Sequence, residues 1–210
     1  MAWQRLFPKR LPGTPLSEIV RHFNEAAADE EHFPSTIDPH IYHVRLILEH
    51  FGDLDGKRVL DVGSGKGRFA RVLQQQHPQA SLVAFDLAEA MLRHVPAGIH
   101  TCAGSMTSLP FRSGSLDCAY ATESLEHAVD VEASIAEMCR VLKPGGRIVI
   151  IDKNKDQWGR LETPAWEKWF DRKQLERLLS KHCHTVSSRP ISYWEDVAPD
   201  GLFLAWLAEK

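Results

Sequence analysis

Two carboxylates and an imidazole lie within residues 123–127, which are Glu-Ser-Leu-Glu-His. Carboxylate and imidazole groups can accept a proton from a reacting group, and the same side chains can ligate a metal ion. Glu123 and His127 are therefore the candidate catalytic residues, with Glu126 between them. Local hydrogen bonding or contact with a substrate is the alternative role for this segment, and it stays open at this point.

A second candidate site is the stretch VLDVGSGKGRFA at residues 59–70, where three glycines follow a short apolar run. Its order differs from a phosphate loop, GxxxxGK[ST], and from the dinucleotide fingerprint, which has its third glycine where Arg68 stands. Glycine lets the backbone bend sharply and approach a ligand, and the helix that follows would offer free N–H groups. The stretch predicts a ligand-binding turn, with a tight turn that binds nothing as the alternative.

Asp86 closes the next apolar run, ASLVAFD. An acidic residue at the end of the second strand of a doubly wound sheet can accept hydrogen bonds from both hydroxyls of a ribose. The same carboxylate can cap the helix that follows. The two roles are compatible, and the glycines upstream favour a ribose contact.

Strand-like and helix-like segments alternate along the chain and would position these residues. The predicted strands are RVLDVG, ASLVAFD, IHTCAGS, LDCAYATES and RIVIIDK, followed by two more near residues 184–193 and 202–208. The predicted helices span residues 16–28, 39–51, 68–77, 88–94, 131–142 and 171–181. This order predicts an α/β fold, a doubly wound and mostly parallel seven-stranded sheet with helices on both faces.

Residues 1–55 are expected to form an N-terminal arm and helices that cover the active site, and residues 56–210 the ligand-binding domain. The first 15 residues contain three prolines and no apolar period, which predicts a loose arm. Thr14 or Ser17 would cap the first helix. Asp38 would cap the second, with Pro39 in its first turn.

Composition argues against several classes of protein. Hydrophobic residues make up 43% of the 210 residues, enough for a core, and the formal net charge of −3 provides no general attraction to nucleic acid or to an anionic membrane. The four cysteines form no CxxC pair, which is typical of reduced core residues in a reducing compartment. The N-terminal residues lack the apolar run of a signal peptide, so a cytoplasmic location is expected.

Four motifs, in order, resemble the class I S-adenosylmethionine-dependent methyltransferase family in its small single-domain type. VLDVGSGKG resembles the family's first motif, VAFDLAEAML its acidic second-strand motif, AGSMTSLPFRSGSLDCAYATESLEH its third and fourth strands, and EMCRVLKPGGRIVIID its fifth strand with the helix and turn before it. The resemblance is dense over residues 59–152. It implies a Rossmann-like methyltransferase fold and S-adenosylmethionine as the cofactor.

The same resemblance implies a set of cofactor-binding residues: Asp61, Gly63, Ser64, Gly65, Asp86, Leu87, Ser105, Met106 and Thr122. The glycine turn would approach the methionine part, with Asp61 and the Thr122 carbonyl near its ammonium group. Asp86 would hold the ribose, and residues 87 and 106 would meet the adenine ring. Many relatives carry an aspartate where Ser105 stands, so the contact with the adenine amino group is in doubt.

The ExxEH spacing of residues 123–127 resembles a magnesium-binding cluster in ubiquinone-pathway catechol O-methyltransferases and a metal cluster in small-RNA 3′-terminal 2′-O-methyltransferases. Relatives without a metal carry similar turns, and the chain lacks the extra histidine-bearing segment expected of the RNA enzymes. We therefore expect no metal. A base is needed only where the acceptor must lose a proton, because a sulfonium methyl group is already a strong electrophile.

Three tryptophans follow the fifth strand and would start at the edge of the sheet where the methyl group should lie. They are Trp158, Trp166 and Trp169, and the last two are spaced to share one face of a helix. With Tyr42 they are expected to bind an apolar or aromatic acceptor. Sealing a lid onto the sheet is the alternative role for these aromatic side chains.

The expected function is therefore S-adenosylmethionine-dependent methylation of a small molecule, with no nucleic acid or membrane as partner. An RNA or protein methyltransferase and a non-catalytic methyltransferase-like partner subunit are the alternatives. The charge balance disfavours RNA, and TESL after the fourth strand is not the NPPY-like tetrad of DNA amino and protein glutamine methyltransferases. The intact Gly63, Gly65 and Asp86 disfavour a non-catalytic subunit. The oligomeric state is not set by the sequence.

Overall fold

The computed structural model describes residues 15–210, so the expected arm and the Thr14 cap lie outside the described residues. In chain order the elements are α1 (Leu16–Ala26), α2 (Tyr42–Phe51), β1 (Arg58–Val62), α3 (Arg68–Gln76), β2 (Ser81–Asp86), α4 (Glu89–Leu92), β3 (His100–Ala103), β4 (Leu116–Thr122), α5 (Val131–Val141), β5 (Leu142–Lys153), α6 (Arg172–Leu179), β6 (Thr185–Ile191) and β7 (Phe203–Glu209). Short 3-10 turns lie at Leu125–His127 and Lys155–Gln157.

The seven strands form one sheet in the order β3-β2-β1-β4-β5-β7-β6. The strands from β3 to β5 pair in parallel, and β7 runs antiparallel to both of its neighbours. This confirms the predicted doubly wound, mostly parallel sheet. The strand order reverses between β1 and β4, and ligands of such sheets bind outside the carboxyl ends of the strands at this point.

Helices cover both faces of the sheet, and each face has its own core. Val59 of β1 packs among residues of α2 and α3, whereas the next residue, Leu60, packs among residues of α5 and α6. Successive strand residues point to opposite faces, so a strand covered on both sides is apolar throughout. Trp206 of β7 is fully buried in the second core, where its indole N–H donates to the Arg172 carbonyl at 3.0 Å.

The first helix begins at Leu16 as predicted, but neither N-terminal helix has the side-chain cap predicted for it within the described residues. Oδ1 of Asp38 accepts a hydrogen bond from the His40 N–H at 2.8 Å, which closes a turn ahead of the helix instead of capping it. α2 therefore starts at Tyr42, whose N–H donates to the Tyr193 carbonyl at 2.7 Å. α1 follows Pro15 without any side-chain cap, so the predicted Ser17 cap is wrong.

The segment between β5 and α6 contains a 3-10 turn and then an irregular loop over residues 158–170, so Trp166 and Trp169 do not share a helix. Pro164 lies inside this loop and would interrupt a helix there. α6 begins after Asp171, whose carboxylate accepts from the Gln174 N–H at 2.7 Å. Among residues 15–210, no helix has both the length and the apolar character to cross a membrane.

α1 and the loop after it lie against α4. Ala27 and Met91 are buried together there, and Phe23 and Phe33 pack around them. The Asn24 side-chain oxygen also accepts a hydrogen bond from the Ala90 N–H at 2.9 Å. These contacts hold α1 above the carboxyl end of β2, whereas α2 belongs to the core of one sheet face. The division of the chain at residue 55 stays a prediction.

Candidate functional site

A cavity of about 460 Å³ opens where the strand order of the sheet reverses. The turn after β1, Asp86 at the end of β2 and Thr122 at the end of β4 form its floor, and α1 forms its opposite wall. Of the predicted cofactor-binding residues, those that line it are Gly63, Ser64, Gly65, Asp86, Leu87, Ser105, Met106 and Thr122. Asp61 is not among the lining residues and is almost fully buried. The structure thus brings residues from three of the four motifs, at the ends of four strands, to one place.

The backbone conformation of the turn and the space around it explain why it contains glycine. Gly63 has a φ of +72°, and a Cβ there would lie 2.4 Å from the Ser124 Cβ, so no other residue fits without a shift. Ser124 is held in place because its hydroxyl donates to the Val62 carbonyl at 2.7 Å. Gly65 has a φ of +54° and lines the cavity, but a Cβ there would meet no atom within 4 Å. The space beside Gly65 is therefore free for a ligand.

Asp86 joins the glycine turn to α4. Its Oδ2 accepts from the Gly65 N–H at 2.7 Å, and its Oδ1 accepts from the Ala88 N–H at 2.8 Å. Burial raises the pKa of this carboxyl, and both backbone N–H groups act in the opposite direction. Each carboxylate oxygen has a second lone pair, so the group can accept two further hydrogen bonds from a ligand. The helix contact and the predicted ribose contact are thus compatible.

Two buried oxygens beside the turn have no hydrogen-bond partner among the described residues: Oδ2 of Asp61 and Oγ of Ser64. Burial disfavours the charged form of Asp61 and raises its pKa to about 7. A buried polar atom without a partner is costly, so such atoms are typical of a place that a ligand completes. Ser64 lines the cavity, so its hydroxyl fits a polar group of an amino-acid moiety such as the methionine part of the cofactor. Asp61 does not line the cavity, so it would reach the ammonium group of that moiety through a water molecule.

Lys66, in the glycine turn, forms hydrogen bonds with the loop after α1. Its side chain is almost fully buried, and its ammonium donates to the Asp29 carbonyl at 3.0 Å and to the Glu30 carboxylate at 2.7 Å. This ammonium lowers the pKa of Glu30 to about 2. Sequence reasoning missed the contact because nothing in the local pattern connects residues 29–30 with residue 66.

The Ser105 side chain takes part in a turn of its own. Its hydroxyl lies 2.8 Å from the Thr107 hydroxyl and accepts a hydrogen bond from the Thr107 N–H at 3.3 Å. Ser105 still lines the cavity, next to Met106. A contact between this serine and an adenine amino group stays a prediction.

Glu123, the first candidate catalytic residue, lines the cavity but is firmly held. Its carboxylate accepts from the Tyr193 hydroxyl at 2.9 Å and lies 3.3 Å from the Arg68 guanidinium. Its φ of +50° is in the left-handed region, which is uncommon outside glycine and is often found at functional sites. The ion pair and the hydroxyl make Glu123 better suited to orienting its neighbours than to accepting a proton.

His127, the second candidate, lies at the far end of the cavity from Asp86. Its Nε2 is 3.4 Å from the Glu126 carboxylate, and its Nδ1 has no hydrogen-bond partner among the described residues. Burial, together with the positive charges of Lys153 and Lys168 among others, lowers the pKa of His127 to about 3. The imidazole is therefore neutral at physiological pH.

Lys153 is the centre of a buried ion cluster beside His127. Its ammonium lies 2.6 and 2.7 Å from the two Glu126 oxygens and 3.1 Å from a Glu167 oxygen. Asp152 completes the cluster because its carboxylate accepts the Glu126 N–H at 3.1 Å. Sequence analysis singled out Glu126 but neither Lys153 nor Glu167, since a lysine at a strand end gives no local signal of such a role.

The four aromatic residues predicted to bind an acceptor do not line the cavity. Trp158 is 60% exposed and contacts Trp169, which is buried and donates its indole N–H to Glu167 at 2.9 Å. Trp166 packs against His22 with ring centroids 5.1 Å apart, and Tyr42 lies below the Arg189 guanidinium. Their role in binding an acceptor stays a prediction, and the cavity wall gives it no support.

The apolar wall of the cavity comes from other residues. Most belong to α1 and the loops around it: Leu16, Ile19, Phe23, Phe33, Val129 and Leu161. Phe23 packs directly on His127, with ring centroids 4.9 Å apart. Through Phe23 an apolar surface thus meets the acid–base cluster around His127, and the same side chain also packs towards α4.

Comparison with known proteins gives a consistent result. A family model described as "Methyltransferase domain" matches residues 60–150. The chain is 36% identical over 97 residues to the malonyl-[acyl-carrier protein] O-methyltransferase of Methylococcus capsulatus, an alignment that covers 43% of this chain and 35% of that protein. It is 32% identical over 155 residues to the demethylmenaquinone methyltransferase of Renibacterium salmoninarum, covering 71% of this chain and 61% of that protein.

Among solved structures, the [4+2]-cyclase SpnF superimposes with a TM-score of 0.78 at 17% identity, covering 95% of this chain and 98% of that chain. This likeness shows a shared fold. The chain spans about a third and about three fifths of the two curated relatives it matches.

Proposed function

Residues 60–150 belong to the class I S-adenosylmethionine-dependent methyltransferase family, and from this premise we propose that the chain methylates a small apolar or aromatic acceptor. One observation carries the proposal. A single cavity is lined by the glycine turn and Asp86 and also by apolar side chains such as Phe23, which packs on His127. Both curated relatives are named as methyltransferases, one of demethylmenaquinone and one of malonyl-[acyl-carrier protein]. The [4+2]-cyclase has the same fold, so fold likeness alone does not assign the reaction.

The residues of the turn bind and orient the cofactor in this proposal. Gly63 and Gly65 let the backbone approach it, Asp86 accepts hydrogen bonds from its ribose, and Asp61 faces its ammonium group. When bound, the cofactor supplies an electrophilic methyl group. The protein then contributes mainly proximity and orientation, which α1 and the Lys66–Glu30 contact support by covering the cavity.

His127 is the proposed proton acceptor, and Glu123 orients the site through Arg68 and Tyr193. A neutral imidazole can accept a proton, but a pKa of about 3 makes His127 a weak base. It therefore suits an acceptor whose own proton is acidic, or one that needs no deprotonation.

The direct test supplies methyl-labelled S-adenosylmethionine together with small phenols and quinols, with bulk tRNA, or with soluble protein. We expect label to appear in the small molecules alone. Labelled tRNA, with an affinity that falls steeply as salt is added, would instead support the RNA methyltransferase alternative. Absence of both binding and transfer would leave the non-catalytic subunit as the better account.

Phe23→Ala should raise the acceptor KM by roughly 5- to 30-fold, because an aromatic wall contact contributes about 1–2 kcal/mol. Cofactor affinity should stay within about threefold, since the contact proposed to be lost is one of uniform acceptor binding. The melting temperature should fall modestly, because Phe23 also packs against Ala27 and Met91. Trp158→Ala is the matched control and should leave KM unchanged, because its side chain is mostly exposed and does not line the cavity. If Trp158→Ala raised the acceptor KM and Phe23→Ala did not, the acceptor would bind at the loop of residues 158–170.

Cofactor binding should release a proton from Asp61. With a pKa of about 7, this carboxyl is largely protonated at pH 6 and must ionise to face an ammonium group. Affinity for S-adenosylhomocysteine should therefore rise up to about tenfold per pH unit below pH 7 and level off above it. Calorimetry at pH 6 in buffers of different ionisation enthalpy measures the released proton. Asp61→Asn should bind more weakly and without pH dependence, and a flat profile in the unaltered protein would exclude this role.

A further inference from the structure

The side chains around Lys153 resemble a metal-binding group. Ligand atoms of Glu126, His127 and Glu167 all lie within 4.8 Å of one another, and both carboxylates are buried. Two carboxylates and one neutral imidazole are a suitable ligand set for Mn²⁺ or Zn²⁺. Glu123, the first residue of the ExxEH pattern, takes no part, because its carboxylate is paired with Arg68.

The ammonium of Lys153 already lies among these ligand atoms. It is within 3.1 Å of both Glu126 oxygens and of one Glu167 oxygen. Its two hydrogen bonds go to the two oxygens of Glu126, and Glu167 is an ion-pair partner. The ammonium therefore lies where a cation shared by these two carboxyl groups would lie.

The cluster brings several buried acidic groups close to one cation. Glu126, Asp152 and Glu167 are buried near the Lys153 ammonium. Burial and the neighbouring Asp152 raise the pKa of Glu126, and the Lys153 ammonium favours its ionised form. A buried carboxylate is tolerated only when it is paired, protonated or bound to a metal ion. The other lysine nearby, Lys168, donates to the backbone carbonyl of Ala128. Among the residues that the structure describes, Lys153 is the one cation within salt-bridge distance of Glu126 and Glu167, apart from His127, which is neutral.

We propose that the Lys153 ammonium is a built-in cation that takes the position of a divalent metal ion at this end of the cavity. It holds Glu126 and Glu167 together and so positions the wall that carries His127. The inference concerns the cation alone and does not rest on methyl transfer. It predicts that loss of the lysine creates a metal site.

The test is Lys153→Ser, with Lys155→Ser as a matched control on the adjacent 3-10 turn. We expect the first variant to bind Mn²⁺ at least about 100-fold more tightly than the unaltered protein, and Mn²⁺ to raise its melting temperature. Neither change should occur in the control. Adding Glu167→Gln to Lys153→Ser should abolish the gain. Electron paramagnetic resonance of Mn²⁺ and thermal melting with and without EDTA provide the measurements, independently of any enzymatic assay.

Three outcomes would overturn the proposal. These are binding of Mn²⁺ by the unaltered protein through Glu126 and Glu167, folding of Lys153→Ser without any gain of metal, and failure of Lys153→Ser to fold with or without Mn²⁺. A variant that folds only in the presence of Mn²⁺ supports it. None of these outcomes bears on methyl transfer, because each concerns folding or Mn²⁺ binding. A wrong inference about Lys153 is therefore distinguishable from a wrong proposed function.

Discussion

Asp86→Ala is expected to weaken binding of S-adenosylhomocysteine by roughly 10- to 150-fold, because hydrogen bonds to a charged group contribute about 1.5–3 kcal/mol. The substitution removes the carboxylate proposed to accept both ribose hydroxyls. It also frees the Gly65 N–H, which now donates to that carboxylate at 2.7 Å. The turn would therefore lose part of its fixed geometry together with the ligand contact. Isothermal calorimetry measures the change in affinity directly.

Asp86→Asn separates the two effects. The amide oxygen can still accept from one of the two backbone N–H groups, but the amide NH2 would face the other, which loses its acceptor. We expect an affinity and a melting temperature between those of Asp86→Ala and the unaltered protein. Unchanged affinity in both variants would remove Asp86 from the cofactor site. Loss of the fold in both would show that its helix contact dominates.

The cofactor end of the cavity was the part most accessible to sequence analysis. Its residues follow strand ends, and the carboxyl ends of parallel strands meet at one edge of a sheet, so local pattern and strand order together bring them close. The predicted seven-stranded sheet is confirmed, and Gly63, Asp86 and Thr122 do line one cavity. Whether they bind the cofactor stays a prediction that the variants above test.

The acceptor end could not be predicted in the same way. Its wall depends on where α1 and the loops around it pack, and that is set by distant contacts such as Asn24 with Ala90 and Lys66 with Glu30. The aromatic residues after β5 do not line the cavity, and their role in binding an acceptor stays a prediction. Large aromatic side chains indicate burial or binding but not which surface they meet, and Trp169 is buried against its own loop.

Lys153 shows a further limit of sequence analysis. It follows a run of apolar strand residues, where a lysine normally marks the solvated end of the strand. Its partners Glu126 and Glu167 are distant in the sequence on either side, and they meet the ammonium only because β5 ends beside the turn after β4. The ExxEH spacing resembles metal clusters, although the sequence analysis expected no metal. In the structure its first carboxylate pairs with Arg68 and its second with Lys153.

The largest effect on stability is expected for Gly63→Ala. The new Cβ would lie 2.4 Å from the Ser124 Cβ, and the φ of +72° already strains any residue with a side chain. Overpacking costs about 1–3 kcal/mol and the unfavourable backbone roughly 1 kcal/mol, so the free energy of unfolding should fall by about 2–4 kcal/mol. Chemical denaturation measures it. Gly56→Ala is the matched control, because its φ is +76° but a Cβ there meets nothing within 4 Å.

Gly65→Ala, in the same turn, should lower cofactor affinity strongly and stability only slightly. Its φ of +54° predicts a backbone cost similar to that of the Gly56 control, and its Cβ meets no protein atom, so the loss of stability should be only about 1 kcal/mol. Gly65 lines the cavity, however, so the added methyl group would occupy space that the cofactor needs. Cofactor affinity should therefore fall in Gly65→Ala by far more than in the control. If Gly65→Ala bound S-adenosylhomocysteine normally, the free space beside this glycine would not be the cofactor site, because a ligand in van der Waals contact with the turn cannot tolerate the extra atom.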